Sequence, residues 1–344
     1  MGADQVEKQQ TISEEDVIRL IQSLAGQSSD ELAVGIGDDA AVLRLGGSTL
    51  CVTTDLMVEG VHFDLGFISP YDLGRRAMAA NLSDLAAMGS RPRWGFLSLG
   101  LPGRPDRSFV EGLVRGVRDL GAEFGLTLAG GDTVASPQLI VNLCLVGAAE
   151  TREPILRSGA REGEAVCVTG HLGGAAAGLA WLQSGRDPDD PRAAPVVEAH
   201  LRPRPRVQAG RALAQSGKVG AMMDISDGLA SDLARLCMAS QTGALVRESD
   251  LPILEATREV AQVLGADPLE WALRGGEDFE LLFTCAPGDL DILAELVSDG
   301  DPGLRLTRIG TISTGRGVLL EHAQGGQEEI TLQGFDHFRD EADQ

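Results

Sequence analysis

Short apolar segments, each closed by glycine, aspartate or a hydroxyl residue, recur along the chain from Val34 onward and alternate with amphipathic stretches. This pattern predicts an α/β protein, because sheet strands are brief apolar runs and the longer amphipathic stretches between them are helices. A polar segment at 151–164, with Pro154 and two glycines, interrupts the pattern. We therefore expect two domains, 1–150 and 151–344, in a chain of 344 residues that is long enough for two cores.

The predicted strands divide evenly between these halves. The strand candidates are 41–45, 50–54, 96–101, 127–129, 139–146, 165–169, 221–225, 244–247, 279–284 and 306–312. The helix candidates are one helix in the first 30 residues with Ser13 as its N-cap, then about 72–88, 107–124, 174–183, 206–215, 228–240 and 253–264. The proline-rich stretch 186–206 is expected to be an exposed loop.

Charge and composition exclude several classes of protein. The chain has 51 acidic residues against 29 basic ones, a net charge of −22, so its surface repels nucleic acid and anionic membranes. It has no apolar run long enough to span a bilayer, and residues 1–10 lack the apolar core of a signal peptide. These features predict a cytoplasmic protein with no membrane or nucleic-acid partner. The five cysteines show no zinc or redox spacing and are expected to be reduced core thiols.

Aspartates stand at the ends of the predicted strands and in turns, each beside glycine or a hydroxyl residue. They are Asp38, Asp39, Asp55, Asp84, Asp132, Asp224 and Asp227. One aspartate in a turn or at a helix N-cap is ordinary. The contexts indicate more: Thr53 and Asp55 share a strand face, as a hydroxyl and carboxylate pair that suits Mg²⁺, and Asp84 lies on a helix face of small residues where burial without a cation is costly. Asp38 and Asp278 are expected to be auxiliary.

The number of carboxylates exceeds what an acid/base pair needs. Mg²⁺ takes one or two carboxylates together with water and phosphate oxygens, so this set predicts several Mg²⁺ ions against a highly anionic ligand, for which nucleotide phosphate is the natural candidate. Gly131 leaves backbone N–H groups open to an anion beside Asp132, and Asp227 precedes a helix N-terminus. The Walker A motif is absent, and so is a nucleophile turn. The sequence therefore favours direct phosphoryl transfer to an acceptor that needs no general base, such as a phosphate monoester with a second pKa of about 6.

Eight motifs in order resemble the thiamine-monophosphate kinase family, within the aminoimidazole ribonucleotide synthetase-like superfamily. They begin at Gly35 (GIGDDA), Thr53 (TTD), Glu59 (EGVHF), Asn81 (NLSDLAAMG), Gly130 (GGDT), Leu156 (LRSGA), Asp224 (DISDGL) and Gly275 (GGEDFEL). The resemblance implies a two-domain α/β (α+β) fold with mixed or antiparallel sheets and helices packed on one side. It also implies a homodimer paired through the N-terminal sheets. The N-terminal domain would carry most metal ligands, bind ATP and form the dimer interface, while the C-terminal domain would complete the ATP and substrate site. The implied activity uses ATP to convert thiamine monophosphate to thiamine diphosphate, with no protein nucleophile or general base.

The resemblance also implies roles for individual residues. The implied metal ligands are Asp39, Thr53, Thr54, Asp55, Asp84, Asp132, Asp224 and Asp227. The implied ATP contacts are Gly131, Asp132, Arg157 and Ser226, and the implied substrate contacts are His62, Glu277 and Phe335. Physical readings agree in part: Arg157 suits phosphate, Phe335 can stack on a cationic heterocycle and Glu277 can neutralise one. Without the resemblance, a structural alternative remains open for each substrate residue. His62 could be a strand residue, Glu277 could lie in a solvated turn and Phe335 could pack in the core.

Two other functions compete with the kinase. One is a sister ATP-dependent enzyme that activates a carbonyl or selenide through a phosphorylated intermediate. No cysteine precedes Cys51 and the chain ends without a cysteine-bearing tail, which disfavours the selenophosphate synthetase and hydrogenase maturation members. The other is a non-catalytic metal- or nucleotide-binding module, which predicts binding without product.

Overall fold

The computed structural model describes residues 13–25, 29–151 and 153–330. The chain divides into two compact units, the larger of which is Glu31–Gly334. The helix α1 (Glu14–Ala25) belongs to the other unit. Its N-terminus is capped as predicted, because the Ser13 Oγ accepts a hydrogen bond from the Asp16 backbone N–H at 3.2 Å.

The first sheet has six strands in the order β1-β2-β3-β6-β4-β5. The strands are β1 (Leu32–Val34), β2 (Ala41–Leu45), β3 (Ser48–Val58), β4 (Ser90–Leu101), β5 (Thr127–Ala135) and β6 (Ile140–Ala149). Only the β4–β5 pair is parallel, because α3 (Arg107–Glu123) forms the crossover between them. On β6, buried and partly buried residues alternate, as expected for a strand whose two faces differ.

One long helix, α2 (Pro70–Ala87), lies on this sheet beside α3. It begins at the Ser69 cap, whose side chain accepts from the Asp72 N–H, and it is buried on nearly all sides, as 14 of its 18 residues are buried. A Cβ at Gly74 would lie 2.1 Å from a carbonyl oxygen of α3, so glycine permits the close crossing of α2 and α3.

The second sheet has seven strands in the order β13-β12-β9-β11-β7-β10-β8. The strands are β7 (Ala165–Thr169), β8 (Val219–Asp224), β9 (Gly243–Arg247), β10 (Leu281–Cys285), β11 (Leu306–Ser313), β12 (Gly317–Glu321) and β13 (Gln327–Glu329). The helices are α4 (Gly174–Gln183), α5 (Ala194–Leu201), α6 (Val207–Ser216), α7 (Leu229–Ser240), α8 (Glu255–Leu264), α9 (Pro268–Arg274) and α10 (Leu290–Gly300). The β12–β9 pair is parallel and the other pairs are antiparallel. The stretch predicted as a loop at 186–206 contains α5.

The two sheets share one hydrophobic core. Leu73 and Leu82 of α2 belong to the same buried cluster as Cys167 of β7 and Phe283 of β10. Val168, the next residue along β7, belongs instead to a second cluster that includes residues of α7. Helix α2 therefore lies between the two sheets, and its polar residues meet the ends of strands from both. The predicted mixed α/β class with two sheets is confirmed.

Within the described residues, no helix has both the length and the apolarity needed to cross a bilayer.

Candidate active site

Three aspartates that are far apart in the sequence converge between the sheets. Oxygen atoms of Asp39, Asp84 and Asp224 all lie within 4.8 Å of one another. Asp39 follows the turn at Gly37, Asp84 projects from α2, and Asp224 is the last residue of β8. Asp39 is 6% exposed and Asp224 is 2% exposed. The structure therefore brings three of the predicted metal ligands into one buried cluster, which we name the aspartate cluster.

Arg157 closes one side of the aspartate cluster. Its Nε and Nη2 donate to Oδ1 of Asp39 at 3.0 and 2.6 Å, while its backbone N–H faces the carboxylate of Asp38. Asp38 and Asp39 thus accept from different groups of the same residue, the backbone and the guanidinium of Arg157. A guanidinium with this geometry is also suited to a phosphate oxygen.

Strand β3 adds two donors on the face that meets α2. The Thr53 hydroxyl donates to Oδ2 of Asp84 at 2.5 Å. The backbone N–H of Asp55 donates to Oδ1 of Asn81 at 3.2 Å, and its carboxylate is close enough to Asp84 for the two to repel each other. The predicted Thr53 and Asp55 pair therefore shares a face next to the aspartate cluster.

Thr54 and Asp132 lie elsewhere. The Thr54 hydroxyl donates to the Leu143 carbonyl at 3.0 Å on the neighbouring strand. Asp132 pairs with Ser98, which pairs in turn with Asn142. Because directly paired residues point to the same face of a sheet, Asp132 and Thr54 lie on the exposed face, opposite to Thr53. The structure does not bring these two side chains to the aspartate cluster.

The loop between β8 and α7 carries Ser226 and Asp227. The carboxylate of Asp227 is paired with Arg235, and its charge is felt at Asp55. Asp227 does not cap α7 as its position suggested. Instead, Oδ2 of Asp232 accepts the backbone N–H groups of Ser226 and Asp227 at 3.1 and 3.0 Å. Asp232 thereby holds the loop from inside the helix.

A second polar group surrounds Glu277. Its backbone N–H donates to the Ser226 carbonyl at 2.8 Å, and its carboxylate pairs with Arg76. The charge of His62 also acts on Glu277, so both predicted substrate residues lie in one neighbourhood; Nδ1 of His62 accepts from the Val58 N–H at 3.0 Å. The third predicted substrate residue, Phe335, lies outside the described residues.

Asp84, Asp224 and the neighbouring Asp55 resist ionisation. Burial raises the pKa of Asp84 well above its usual value, and the negative charges of Asp55, Asp224 and Asp39 raise it further. Burial likewise raises the pKa of Asp224, with Asp39 adding to the effect. Burial, with the charge of Asp227, raises the pKa of Asp55 to about 6. A cation among these groups would remove the mutual repulsion that causes part of these shifts.

The donor set fits Mg²⁺. Oδ2 of Asp39 and Oδ2 of Asp224 are buried and accept no hydrogen bond in the structure. Buried carboxylate oxygens without a partner are costly, whereas hard oxygen donors at this spacing are what Mg²⁺ binds. These carboxylates therefore suit a bound divalent cation better than they suit a site without one, in which they repel one another.

Sequence reasoning missed several residues of the site. Asp232 and Arg235 lie inside α7, Arg76 lies on α2 and His200 lies on α5, all of them outside the eight motifs. Their only sequence signal is charge on a helix that is otherwise built of small or apolar residues, where a charged side chain needs a buried partner. The identity of each partner appears only in three dimensions.

Comparison with known proteins identifies the family. Residues 37–149 match the N-terminal domain and residues 161–321 the C-terminal domain of the AIR synthase related protein family. A thiamine-monophosphate kinase of Escherichia coli strain K12 is 38% identical over 310 residues, which cover 90% of this chain and 93% of that protein. One of Bacillus subtilis strain 168 is 36% identical over 332 residues, covering 94% and 100%. A solved structure, AaThiL complexed with AMPPCP and TMP, superposes with a TM-score of 0.83 at 31% identity, covering 97% of this chain and all of that one. The chain therefore belongs to the thiamine-monophosphate kinase family, within the AIR synthase related proteins.

Proposed function

We propose that the protein transfers the γ-phosphoryl group of ATP to thiamine monophosphate and releases thiamine diphosphate and ADP. The observation that carries this proposal is the aspartate cluster, in which two buried carboxylate oxygens have no hydrogen-bond partner. The relatives of this chain in Escherichia coli and Bacillus subtilis are named thiamine-monophosphate kinase. The AaThiL structure that this chain matches was solved with AMPPCP and TMP, which supports a site for both ligands here.

Several Mg²⁺ ions would be held by Asp39, Asp84 and Asp224, with Asp55 and Asp227 beside them. When bound, Mg²⁺ neutralises phosphate charge and orients the phosphoryl group for in-line transfer. Thr53 keeps the Asp84 carboxylate oriented through its 2.5 Å hydrogen bond. We include Thr54 and Asp132 as ligands on the family resemblance alone, since their side chains lie on the other face of the first sheet.

The nucleotide is assigned to Gly131, Asp132, Arg157 and Ser226. Gly131 has a φ of 152° on β5, the edge strand of the first sheet, where backbone N–H groups are open to an anion. Arg157 can exchange its contact with Asp39 for a phosphate oxygen once cations neutralise that aspartate. The acceptor needs no general base, because a phosphate monoester with a second pKa of about 6 is mostly ionised at neutral pH. Catalysis then consists of positioning and charge neutralisation.

The acceptor is assigned to His62, Glu277 and Phe335. The Glu277 carboxylate is ionised through its contact with Arg76, and 30% of its side chain is exposed, so it can meet the cationic or amino-bearing ring of thiamine. The Ser226–Glu277 backbone hydrogen bond connects the two assigned sites directly.

The cellular setting completes the proposal. We place the protein in the cytoplasm as a homodimer, without nucleic-acid or membrane partners. The N-terminal domain (1–150) would contribute most metal ligands, ATP contacts and the dimer interface, and the C-terminal domain (151–344) would complete the site. Exposed Trp94, Phe96 and Val134 on β4 and β5 support an interface on the first sheet.

One assay tests the proposal. The protein is mixed with ATP, Mg²⁺ and thiamine monophosphate, and thiamine diphosphate and ADP are quantified, with EDTA as the control. Equal amounts of both products, abolished by EDTA, are expected. ADP without thiamine diphosphate would favour the sister ATP-dependent enzymes. ATP binding without turnover at high enzyme concentration would favour the non-catalytic module.

A further inference from the structure

Arg76 is a fully buried arginine on α2 that contacts both α5 and the segment containing Glu277. It projects from α2 and is 1% exposed, yet it is absent from every motif of the sequence. Its Nη2 donates to Oε2 of Glu277, and its Nη1 lies 3.0 Å from Nε2 of His200 on α5. A buried guanidinium needs a compensating carboxylate, and Glu277 is the acidic partner that the structure gives it.

His200 completes this contact as a neutral ring. Burial, together with the adjacent positive charge of Arg76, lowers the pKa of His200 to about 3. Nε2 therefore accepts from Arg76, which leaves the ring proton on Nδ1. That Nδ1 is buried, has no hydrogen-bond partner, and lies 4.0 Å from the same Oε2 of Glu277. Two nitrogens, one from Arg76 and one from His200, thus approach the same carboxylate oxygen of Glu277.

The backbone at Glu277 is held in an unfavourable conformation. Its φ is 67°, a left-handed value that residues with a Cβ rarely adopt. Its N–H is tied to the Ser226 carbonyl, and the preceding Gly276 packs so closely that a Cβ there would lie 2.4 Å from the same carbonyl oxygen. A side chain placed at this conformational cost and paired with a buried guanidinium is typical of a functional position.

We propose that Arg76, with His200 behind it, is a positioning residue that keeps the Glu277 carboxylate ionised and aimed at the positively charged or amino-bearing ring of the phosphate-ester substrate. This inference rests on the proposed function, because Glu277 is assigned to the substrate there. Arg76 itself touches neither reactant. The ring is remote from the phosphoryl group that reacts, so loss of this orientation weakens substrate binding more than it slows the chemical step.

The experiment compares three single variants. Arg76→Gln removes the charge, Arg76→Lys keeps it, and Arg75→Gln is the matched control. Arg75 is the neighbouring residue on α2, whose guanidinium pairs at 2.9 Å with Glu123 of α3 and not with Glu277. We expect Arg76→Gln to raise the KM for thiamine monophosphate about 10- to 100-fold and to leave the KM for ATP within about threefold. Arg76→Lys should recover most of that loss, since one ammonium can still reach Glu277, and Arg75→Gln should match the parent.

A double-mutant cycle separates positioning from folding. If Arg76 acts through Glu277, the double variant Arg76→Gln with Glu277→Gln should bind thiamine monophosphate no more weakly than Glu277→Gln alone. It should also recover thermal stability relative to Arg76→Gln, because no unpaired buried charge remains. Additive losses of binding, or an equal rise in the KM for both substrates, would overturn the inference. Failure of the proposed function would instead appear as an inactive parent protein.

Discussion

Replacing Asp84 by asparagine should separate metal binding from folding, because the two respond in opposite directions. Oxygens of Asp39 and Asp224 lie within 4.8 Å of an Asp84 oxygen. Two unit charges at that distance repel by roughly 3 kcal/mol at an effective dielectric constant of about 20. Proton uptake and the contact between Arg157 and Asp39 relieve part of this repulsion. We therefore expect Asp84→Asn to stabilise the metal-free protein by about 2 kcal/mol, while the amide still accepts from Thr53.

The assay is thermal unfolding with EDTA and with Mg²⁺, measured beside turnover. In EDTA the variant should melt higher than the parent, by about 2 °C for each kcal/mol in a chain of this size. Mg²⁺ should raise the melting temperature of the parent and do so much less for Asp84→Asn. Turnover should fall at least ~100-fold, as expected when a group that stabilises the transition state is lost. A variant that melts lower than the parent in EDTA and still responds fully to Mg²⁺ would refute the reasoning.

Three further outcomes follow from the same structure. Burial raises the pKa of Asp55 to about 6 and that of Asp232 to about 7. The folded protein therefore binds more protons than the unfolded chain between about pH 4 and 7, so its stability in EDTA should fall as the pH rises through that window. A rise in the urea midpoint from pH 5 to pH 8 would contradict this. Arg157→Met should lower the free energy of unfolding in EDTA by about 3 kcal/mol, because it leaves a buried carboxylate unpaired, and Mg²⁺ should restore much of that loss in urea titrations. Gly131→Ala should destabilise by about 3 kcal/mol, since a Cβ there meets a carbonyl oxygen at 1.7 Å, whereas the control Gly125→Ala, with open space around it, should cost about 1 kcal/mol; equal costs would refute the steric argument.

Much of the fold follows from local patterns. The strands at 41–45 and 165–169 begin and end where their apolar runs do, and α7 starts one residue from its predicted position. Other elements are longer than their apolar runs: β4 extends back to Ser90 through Arg91 and Pro92, because pairing with β6 supports residues that have little strand propensity of their own. Helix α5 was missed because proline and charge around it indicate a loop, although Val196 and Val197 pack inward.

The site divides in the same way. Strand alternation correctly placed Thr53 and Asp55 on one face, since that inference needs only the local period. The same alternation places Thr54 on the opposite face, away from the aspartate cluster. It does not reveal the face of Asp132, because pairing of β5 depends on a register shift between Gly95 and Phe96 in the neighbouring strand. The partners of Arg76 lie 124 and 201 residues away in the chain, so only tertiary packing can identify them.

Three acids of the segment from Gly275 to Glu280 bind three different neighbours. Glu277 pairs with Arg76, Asp278 accepts the N–H groups of Gly173 and Ala175 at the start of α4, and Glu280 forms a bidentate pair with Arg206. Each acid can be replaced singly at the cost of its own contact. Inserting or deleting one residue would instead assign all three to the wrong neighbours at once. Over evolution, this segment should therefore keep its length.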